Sequence, residues 1–462
     1  MTLRTSCAAL AAITVFAGQA AAADLGGNCC ADLEERVAEL EATTAHKGNR
    51  KVSLTISGWV NEAILVWDDG RESNAYVGTN DLERSRFRFL GEAKIDADWS
   101  AGYLLEIGVR GNRLNRTNQD TDEGGASLDV RQSNWWIKSK QWGKVTLGLA
   151  GAATYHITEM DGVNTKLLVN AELGSWIGSN GGGFFLVSNN NDTGQHTSLR
   201  WGDILPQQNG SNTNPGNGER FDIIKYESPA WQGFVFSTAW GEDDVWDVAL
   251  RYTGEVAGFK LTGGIGYERS TDASGINERG CAVASQVTDV KSSDTSCREL
   301  GMSGTIQHIE SGLYVYGAYG QKWDENRQAV VEATAGGAKG SDDSDQFWYL
   351  QAGIERKFVD LGKTTIYGEY HRSDVGAGII QSTGRVKDFT ALAGNFFMAG
   401  SEIDVWGLGV VQNIDKAGMD LYLSYRNLSA DVFTSSDGLK AGATKTSVED
   451  FNVLYAGALI QF

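Results

Sequence analysis

From Val52 onward the chain is a series of short segments in which apolar and polar side chains alternate. In the stretch from Glu83 to Ile95, Phe87, Phe89, Ala93 and Ile95 share one side. Arg84, Arg86, Arg88, Glu92 and Lys94 share the other. The same period of two runs through Trp246, Val248, Leu250 and Tyr252, through Phe259, Leu261, Ile265 and Tyr267, and through Met419, Leu421, Leu423 and Tyr425. Successive side chains of a β-strand point to opposite faces, so this spacing predicts strands with one apolar and one polar face. Between 403 and 411 and again between 451 and 462 both faces are apolar, which suggests strands that face a neighbouring subunit.

The pattern predicts sixteen strands, at 52–67, 82–95, 101–112, 127–138, 143–150, 219–228, 231–241, 244–256, 258–269, 300–310, 312–323, 345–358, 363–373, 400–414, 418–430 and 450–462. Their connections alternate in length. Short ones fall at 96–100, 139–142, 229–230, 257, 311, 359–362 and 415–417. Long ones fall at 68–81, 113–126, 151–218, 270–299, 324–344, 374–399 and 431–449, and only 242–243 breaks the rule. Short turns at one end and long loops at the other are the mark of a closed barrel spanning an outer membrane. A soluble sandwich has no reason to sort its loops in this way. The expected fold is therefore all-β, a sixteen-stranded antiparallel transmembrane β-barrel over 51–462, apolar outside and polar within.

Two further signs agree. Pro206, Pro215 and Pro229, the only prolines, fall in loops or turns, as a closed ladder requires of a residue with no N–H. Trp99, Tyr103, Trp142, Tyr226, Trp231, Phe259, Phe358 and Phe462 lie beside the short turns, where an interfacial aromatic belt would sit. The connection at 151–218 stands apart, being glycine- and asparagine-rich and the longest of all. A loop that long inside a compact domain is a functional element when it is not a mistaken assignment. It is expected to fold into the barrel and narrow it.

Composition removes other classes. No later segment approaches the roughly 20 consecutive apolar residues of a spanning helix. Lys and Arg number 40 against 59 Asp and Glu, a net charge of -19, which lacks the basic footprint of a nucleic-acid binder. Residues 1–23 resemble a secretory signal: Arg4 supplies the charge, Ala8 to Phe16 the apolar core, and Ala20 to Ala23 the cleavage site. Residues 24–50 carry a short helical pattern with Leu33, Val37, Leu40 and Thr44 at a and d spacing. Two heptads are too short to stand alone; the segment makes sense if several copies meet on a symmetry axis, a frayed linker helix being the plainer alternative.

The runs CCADLEERVAELEATTAHKGNRKVSLTISGWVNEA, LERSRFRFLGEAKIDADWSAGYLLEIGVRG and NWWIKSKQWGKVTLGLAGAAT together resemble the general porins of alpha-proteobacteria. The likeness spans nearly the whole chain after the signal. It implies a homotrimer in the outer membrane, surrounded by lipid and lipopolysaccharide, with the third long loop bent into the lumen. It implies passive diffusion of small hydrophilic solutes. Phe462 resembles the family's C-terminal signal for the barrel-assembly machinery.

A constriction needs fixed charges of opposite sign across a narrow, water-filled gap. The strand assignment sets Arg86, Arg88, Arg110 and Arg131 on neighbouring strands, a basic arc, with Glu159 and Asp161 in the long loop as acidic partners. The plainer reading pairs those arginines with Glu92, Glu106 and Asp129. Cys281 and Cys297 bracket part of one long loop, and a disulfide closing roughly fifteen residues would contribute about 3 kcal/mol. Cys29 and Cys30 are adjacent and suit bridges between subunits better than a bond to each other. No HExxH, GxSxG or phosphate-binding glycine loop occurs, so no enzyme activity, cofactor or metal site is expected. Asp342, Asp343 and Asp345 could hold Ca²⁺ loosely, solvated loop charge being the simpler reading. The rival to general diffusion is a channel selective for a sugar or phosphate, which dense aromatic or lysine tracks would mark.

Overall fold

The computed structural model describes residues 52–166, 168–178, 183–188, 197, 199–206, 214–241, 245–271, 296–333, 336–380 and 396–462. The signal, the 24–50 segment with Cys29 and Cys30, and Cys281 lie outside the described residues. The described chain forms one sixteen-stranded antiparallel sheet that closes on itself. In chain order the strands are β1 (Ser53–Asp68), β2 (Ser73–Thr79 and Arg86–Lys94), β3 (Trp99–Arg110), β4 (Ser127–Ser139), β5 (Gly143–Gly151), β6 (Arg220–Glu227), β7 (Phe234–Gly241) and β8 (Val245–Val256). They continue as β9 (Phe259–Ser270), β10 (Cys297–His308), β11 (Leu313–Asp324), β12 (Ser344–Val359), β13 (Gly362–Val375, resuming at Gly378–Ile380), β14 (Phe396–Ile414), β15 (Met419–Ser435) and β16 (Thr444–Ser447 and Phe451–Gln461).

Each strand pairs with its neighbour in sequence, and β1 pairs with β16 from Trp59↔Gln461 to Asp68↔Asn452. Closure removes the free edges that an open sheet would present. The short turns follow from local chemistry. At Ala257-Gly258 and Gln232-Gly233 both residues have positive φ, the backbone of a tight hairpin whose twist matches that of the strands.

Burial is inverted relative to a soluble protein. Ile64, Leu105, Leu250, Ile306, Leu350, Ile366 and Leu408 are exposed on the outside. Glu106, Arg131, Asp247, Glu268, Thr305, Gln351 and Arg426 are buried on the inside. Trp99, Trp142, Trp231, Phe259, Phe358 and Phe462 are exposed at the short-turn end, as expected of the lower belt. No described helix is long and apolar enough to cross a membrane; the strands do so.

Several strands run further than the pattern indicated. Residues 73–79, expected in a loop, extend β2 beyond an irregular stretch at 80–85, and 444–447 likewise extend β16. A short helix, α1 (Glu325–Ala333), occupies the loop after β11. The doubly apolar stretches of β14 and β16 also have a specific explanation. Ile403, Val405, Phe451, Val453, Tyr455 and Leu459 point inward and are buried in one cluster with Leu173, Trp176, Ile177, Phe184 and Trp201 of the long loop. Their second apolar face therefore packs against the chain's own loop inside the barrel.

Candidate functional site

The 151–218 loop leaves β5 and turns into the lumen. Its two ends lie side by side, with Ala152 N donating to Glu219 O at 3.0 Å. The wall's own backbone groups are consumed by the sheet, so the loop's buried N–H and C=O groups must find side chains. They do. Thr154 donates through N and Oγ1 to Asp247 Oδ2 at 2.6 and 2.7 Å. Met160 N donates to Ser303 Oγ at 2.9 Å, and Gly162 N to Thr305 Oγ1 at 3.0 Å. Tyr316 Oη donates to Thr158 O at 2.6 Å, and Asn164 N donates to Glu355 Oε2 at 2.7 Å. The loop thus follows β8 to β12, then crosses to β15. There Arg426 donates to the carbonyls of Asn170 and Glu172 at 2.6 and 3.3 Å. Further along it rests against an aromatic group in which Trp67, Phe184 and Phe451 meet at centroid distances of 4.8 to 6.5 Å. Each such fully buried ring contributes roughly 1.5–3 kcal/mol, so the loop is seated firmly.

What the loop leaves open is a narrow cavity of about 70 Å³ against the opposite wall. The wall side carries Asp81, Glu83, Arg84, Arg110, Arg113 and Arg131. The loop side carries Tyr155, His156, Glu159, Asn170 and Glu172, with Glu219 and Arg220 at its root. The irregular stretch of β2 explains part of this lining, since Asp81 to Arg84 bend inward there and β3 and β4 contribute the rest.

The arginines are held apart by carboxylates set between them. Asp129 takes Arg84 at 3.0 Å and Arg110 at 2.8 Å; Asp81 takes Arg110 at 3.0 Å. Glu106 takes Arg131 at 2.6 Å and Arg86 at 3.4 Å, and also pairs with Arg88. Glu83 pairs with Arg86. Arg86 and Arg88 also stack over Trp59, 4.3 and 4.6 Å from the ring centroid, a cation–π arrangement. Across the gap His156 bonds Glu159 through Nδ1, and Asn217 Nδ2 donates to the other oxygen of Glu159 at 2.7 Å. Arg220 donates to Tyr155 Oη at 3.0 Å. Burial works against a charge on His156. Tyr155 and Glu159 together outweigh it, and the pKa is pushed up to about 9.

A polar gap lined by opposed rows of charge, inside a barrel with an apolar exterior, is the architecture of a diffusion channel. The sequence profile of the family described as Gram-negative porin matches residues 8–432. The chain belongs to the Gram-negative porin family. The porin is a channel for passive diffusion across the outer membrane, with no catalytic role. No curated protein sequence matches it significantly. Among solved structures, the anion-selective porin from Comamonas acidovorans is similar at 14% identity, covering 89% of this chain and 100% of the other with a TM-score of 0.50. OprB of Pseudomonas putida is 13% identical over 93% and 97% of the two chains, with a TM-score of 0.48. OmpF of Salmonella typhi, in complex with daunomycin, is 14% identical over 89% and 98%, also at 0.48.

Of the residues expected at the constriction, Arg110, Arg131 and Glu159 line the cavity of the porin. Arg86 and Arg88 belong to the same charge network beside it. Asp161 is buried within the loop, where Thr165 Oγ1 and Val163 N donate to it, and burial pushes its carboxyl up to about 6. Glu106 and Asp129 are bridged to the arginines as the plainer reading held. Arg84, Arg113, Arg220, His156 and Glu172 also line the cavity, although the pattern assigns none of them to the constriction. Arg84 shares its predicted side of the strand with Arg86 and could have been found; Arg113 lies past a strand end, with no periodic signal, and Arg220 opens β6. Cys297 is disulfide-bonded. Phe462 closes the barrel, exchanging backbone hydrogen bonds with Gly58 at 3.0 and 3.1 Å. His371, the histidine nearest to a strand serine in sequence, bonds Ser373 at 2.6 Å and stacks on Phe347, fully inside the packed wall.

Proposed function

We propose that the porin is a general-diffusion channel for small hydrophilic solutes and ions, constricted between the arginine rows of β2 to β4 and the infolded 151–218 loop. The observation that carries this is the cavity with arginines on the wall and Glu159 and Glu172 on the loop. Arg110 and Arg131, with Arg86 and Arg88 beside them, supply the positive side; Glu159 supplies the negative side at the cavity surface, while Asp161 sits behind it inside the loop. Opposed charges across a narrow gap with low-dielectric walls focus the field on a passing solute and orient its dipole. Ion preference is weak, because the acidic mouth and the arginines act in opposite senses. The test is single-channel conductance: a steady, non-saturating ohmic current supports general diffusion. Block by micromolar sugar or phosphate would establish the selective alternative.

Porin homologues form trimers. For this chain we read a homotrimer, with lipid and lipopolysaccharide around it and the barrel-assembly machinery recognising Phe462. The resemblance to alpha-proteobacterial porins supports the 24–50 helical segment as a bundle on the trimer axis after removal of residues 1–23. Cys281 is the proposed disulfide partner of Cys297.

A further inference from the structure

At the long-loop end, one row of paired residues crosses the outer face of the barrel. Trp240 of β7 stands opposite Trp246 of β8, Trp246 opposite Arg269 of β9, Arg269 opposite Arg298 of β10, and Arg298 opposite Trp323 of β11. Even spacing sets Arg269 on the outward side with Ile265, and Arg298 with Met302. Both arginines are exposed. Arg298 lies over Trp323, 5.7 Å from the ring centroid, and the exposed rings of Trp240 and Trp246 mark a lipid–water interface. Guanidiniums directly opposite one another on neighbouring strands repel. Among the described residues neither forms an ion pair or a side-chain hydrogen bond. Glu268 and Glu299, beside them in the chain, point inward and are buried. Other outward cations at this end are neutralised: Arg372 by Asp374, Glu402 and Asp404, Lys440 by Glu402, and Lys445 by Asp431. The Arg269–Arg298 pair lacks an anion, and side-by-side guanidiniums match the oxygens of a phosphate.

Further down the same strands the outer wall loses its side chains. Gly263, Gly304 and Gly317 stand opposite one another on β9, β10 and β11, all on the outward side. They floor a groove of about 590 Å³. Ile265, Met302 and Tyr319 line it toward the arginines, and Tyr252 with Phe234, in contact at 4.7 Å, line it at the β8 edge. Gly263 lies six residues along β9 from Arg269, and Gly304 six along β10 from Arg298. That is about 20 Å along a strand. At a tilt of about 45° it is about 14 Å of depth, close to half of a hydrocarbon core about 30 Å thick. The acyl chains of one leaflet cover that depth, so a head group at the arginines puts a chain end at the groove.

We infer that β8 to β11 form a binding site for one acylated, phosphate-bearing amphiphile of the leaflet at the long-loop end. Its phosphate bridges Arg269 and Arg298, and an acyl chain lies in the groove over Gly263, Gly304 and Gly317. The inference rests on the reading above that lipid surrounds the barrel. A free anion would satisfy the arginines and leave the groove unexplained. Hydrocarbon without a charged head would fill the groove and leave the arginines opposed. One amphiphile accounts for both.

The test uses the full chain purified in detergent, with bound adducts counted by native mass spectrometry. Monophosphoryl lipid A, dioleoylphosphatidylglycerol and inorganic phosphate are titrated separately. The parent should hold one acylated adduct per chain, and the tighter of the two lipids identifies the source. Inorganic phosphate should compete poorly with either. Arg269→Gln with Arg298→Gln should weaken retention about tenfold, the loss expected when charged hydrogen bonds are removed. Gly317→Leu should weaken it several-fold with both arginines intact. A Cβ at that position meets nothing nearer than Tyr349 O at 3.7 Å, so the new side chain fills the groove without displacing the wall. If phosphate competes as well as the lipids, or if Gly317→Leu keeps the adduct at the parent level, the arginines and the groove are not one site and the inference falls. No adduct on a parent protein that still gives steady conductance steps in a planar bilayer also overturns it, and leaves the channel reading standing. Failure of the parent to insert and conduct would overturn the reading of a barrel in lipid, and this inference with it.

Discussion

Arg426 and Glu369 form a bidentate pair inside the barrel, Nε to Oε1 at 2.7 Å and Nη2 to Oε2 at 2.9 Å. Both are almost completely buried. The same guanidinium lies over Trp176, 4.2 Å from the ring centroid, and bonds two loop carbonyls. One charge pair on the wall therefore anchors the middle of the infolded loop. Replacing Arg426 by Met should cost about 3–5 kcal/mol, since it leaves a carboxylate buried without a partner. The heat-modification temperature should fall, and single-channel records should show frequent partial closures. Quiet, full-sized steps would mean the loop is held elsewhere.

The two sides of the cavity should respond oppositely to charge removal. Glu159→Gln with Glu172→Gln should move the reversal potential in a salt gradient toward anions. Arg110→Ser with Arg131→Ser should move it toward cations and raise conductance. Asp161→Asn should do little by comparison, because its carboxyl is enclosed by the loop. Reversal potentials unchanged in both double variants would place the selectivity filter away from this cavity.

Selectivity should also depend on alkaline pH. His156 has a raised pKa of about 9. It keeps its positive charge at neutral pH and loses it as pH rises through that value. The stabilisation its pairing with Glu159 gives the loop is present in full below the ordinary histidine pKa and is lost over the same rise. Reversal potentials between pH 7 and 10 should drift toward cations. In His156→Gln that drift should shrink to the contribution of other groups; an identical drift would exclude His156.

Cys297 is oxidised, and peptide mapping without reduction should recover it joined to Cys281. Recovery of Cys281 as a free thiol would refute that pairing. Cys297→Ser should lower thermal stability by up to about 3 kcal/mol in the chain-entropy account, with conductance nearly unchanged.

Phe462→Ala retains the backbone bonds to Gly58, so a refolded barrel should be about as stable as the parent. Its exposed ring is what recognition would use. Outer-membrane levels should fall severalfold in cells while synthesis stays normal. Parent levels of the variant in the membrane would argue against the assembly role.

The wall of the barrel was legible in the sequence because strand alternation and hairpin turns are local. Phe87 and Arg88 declare opposite faces as neighbours in the chain, and Ala257-Gly258 sets a hairpin by its own backbone. Alternation does not say which face meets water; the sorting of short and long connections did. Local pattern failed where a contact came from far away. Ile403 and Tyr455 read as apolar on both sides, and only the folded loop shows that the inner side covers Trp176 and its neighbours. The arginines on β2 to β4 could be grouped from adjacent strands. Arg220 could not, since nearly seventy residues separate it from β5 and only the fold returns it beside Tyr155. The inward bend at 80–85 was likewise invisible. There Asn61 and Trp59 of the adjacent β1 donate to the Glu83 carbonyl at 3.0 and 3.1 Å, holding the stretch inward. Sequence determined the strands, their turns and the existence of the long loop. Tertiary packing decided where that loop rests, and hence which charges face one another, because those distances depend on contacts between segments remote in the chain.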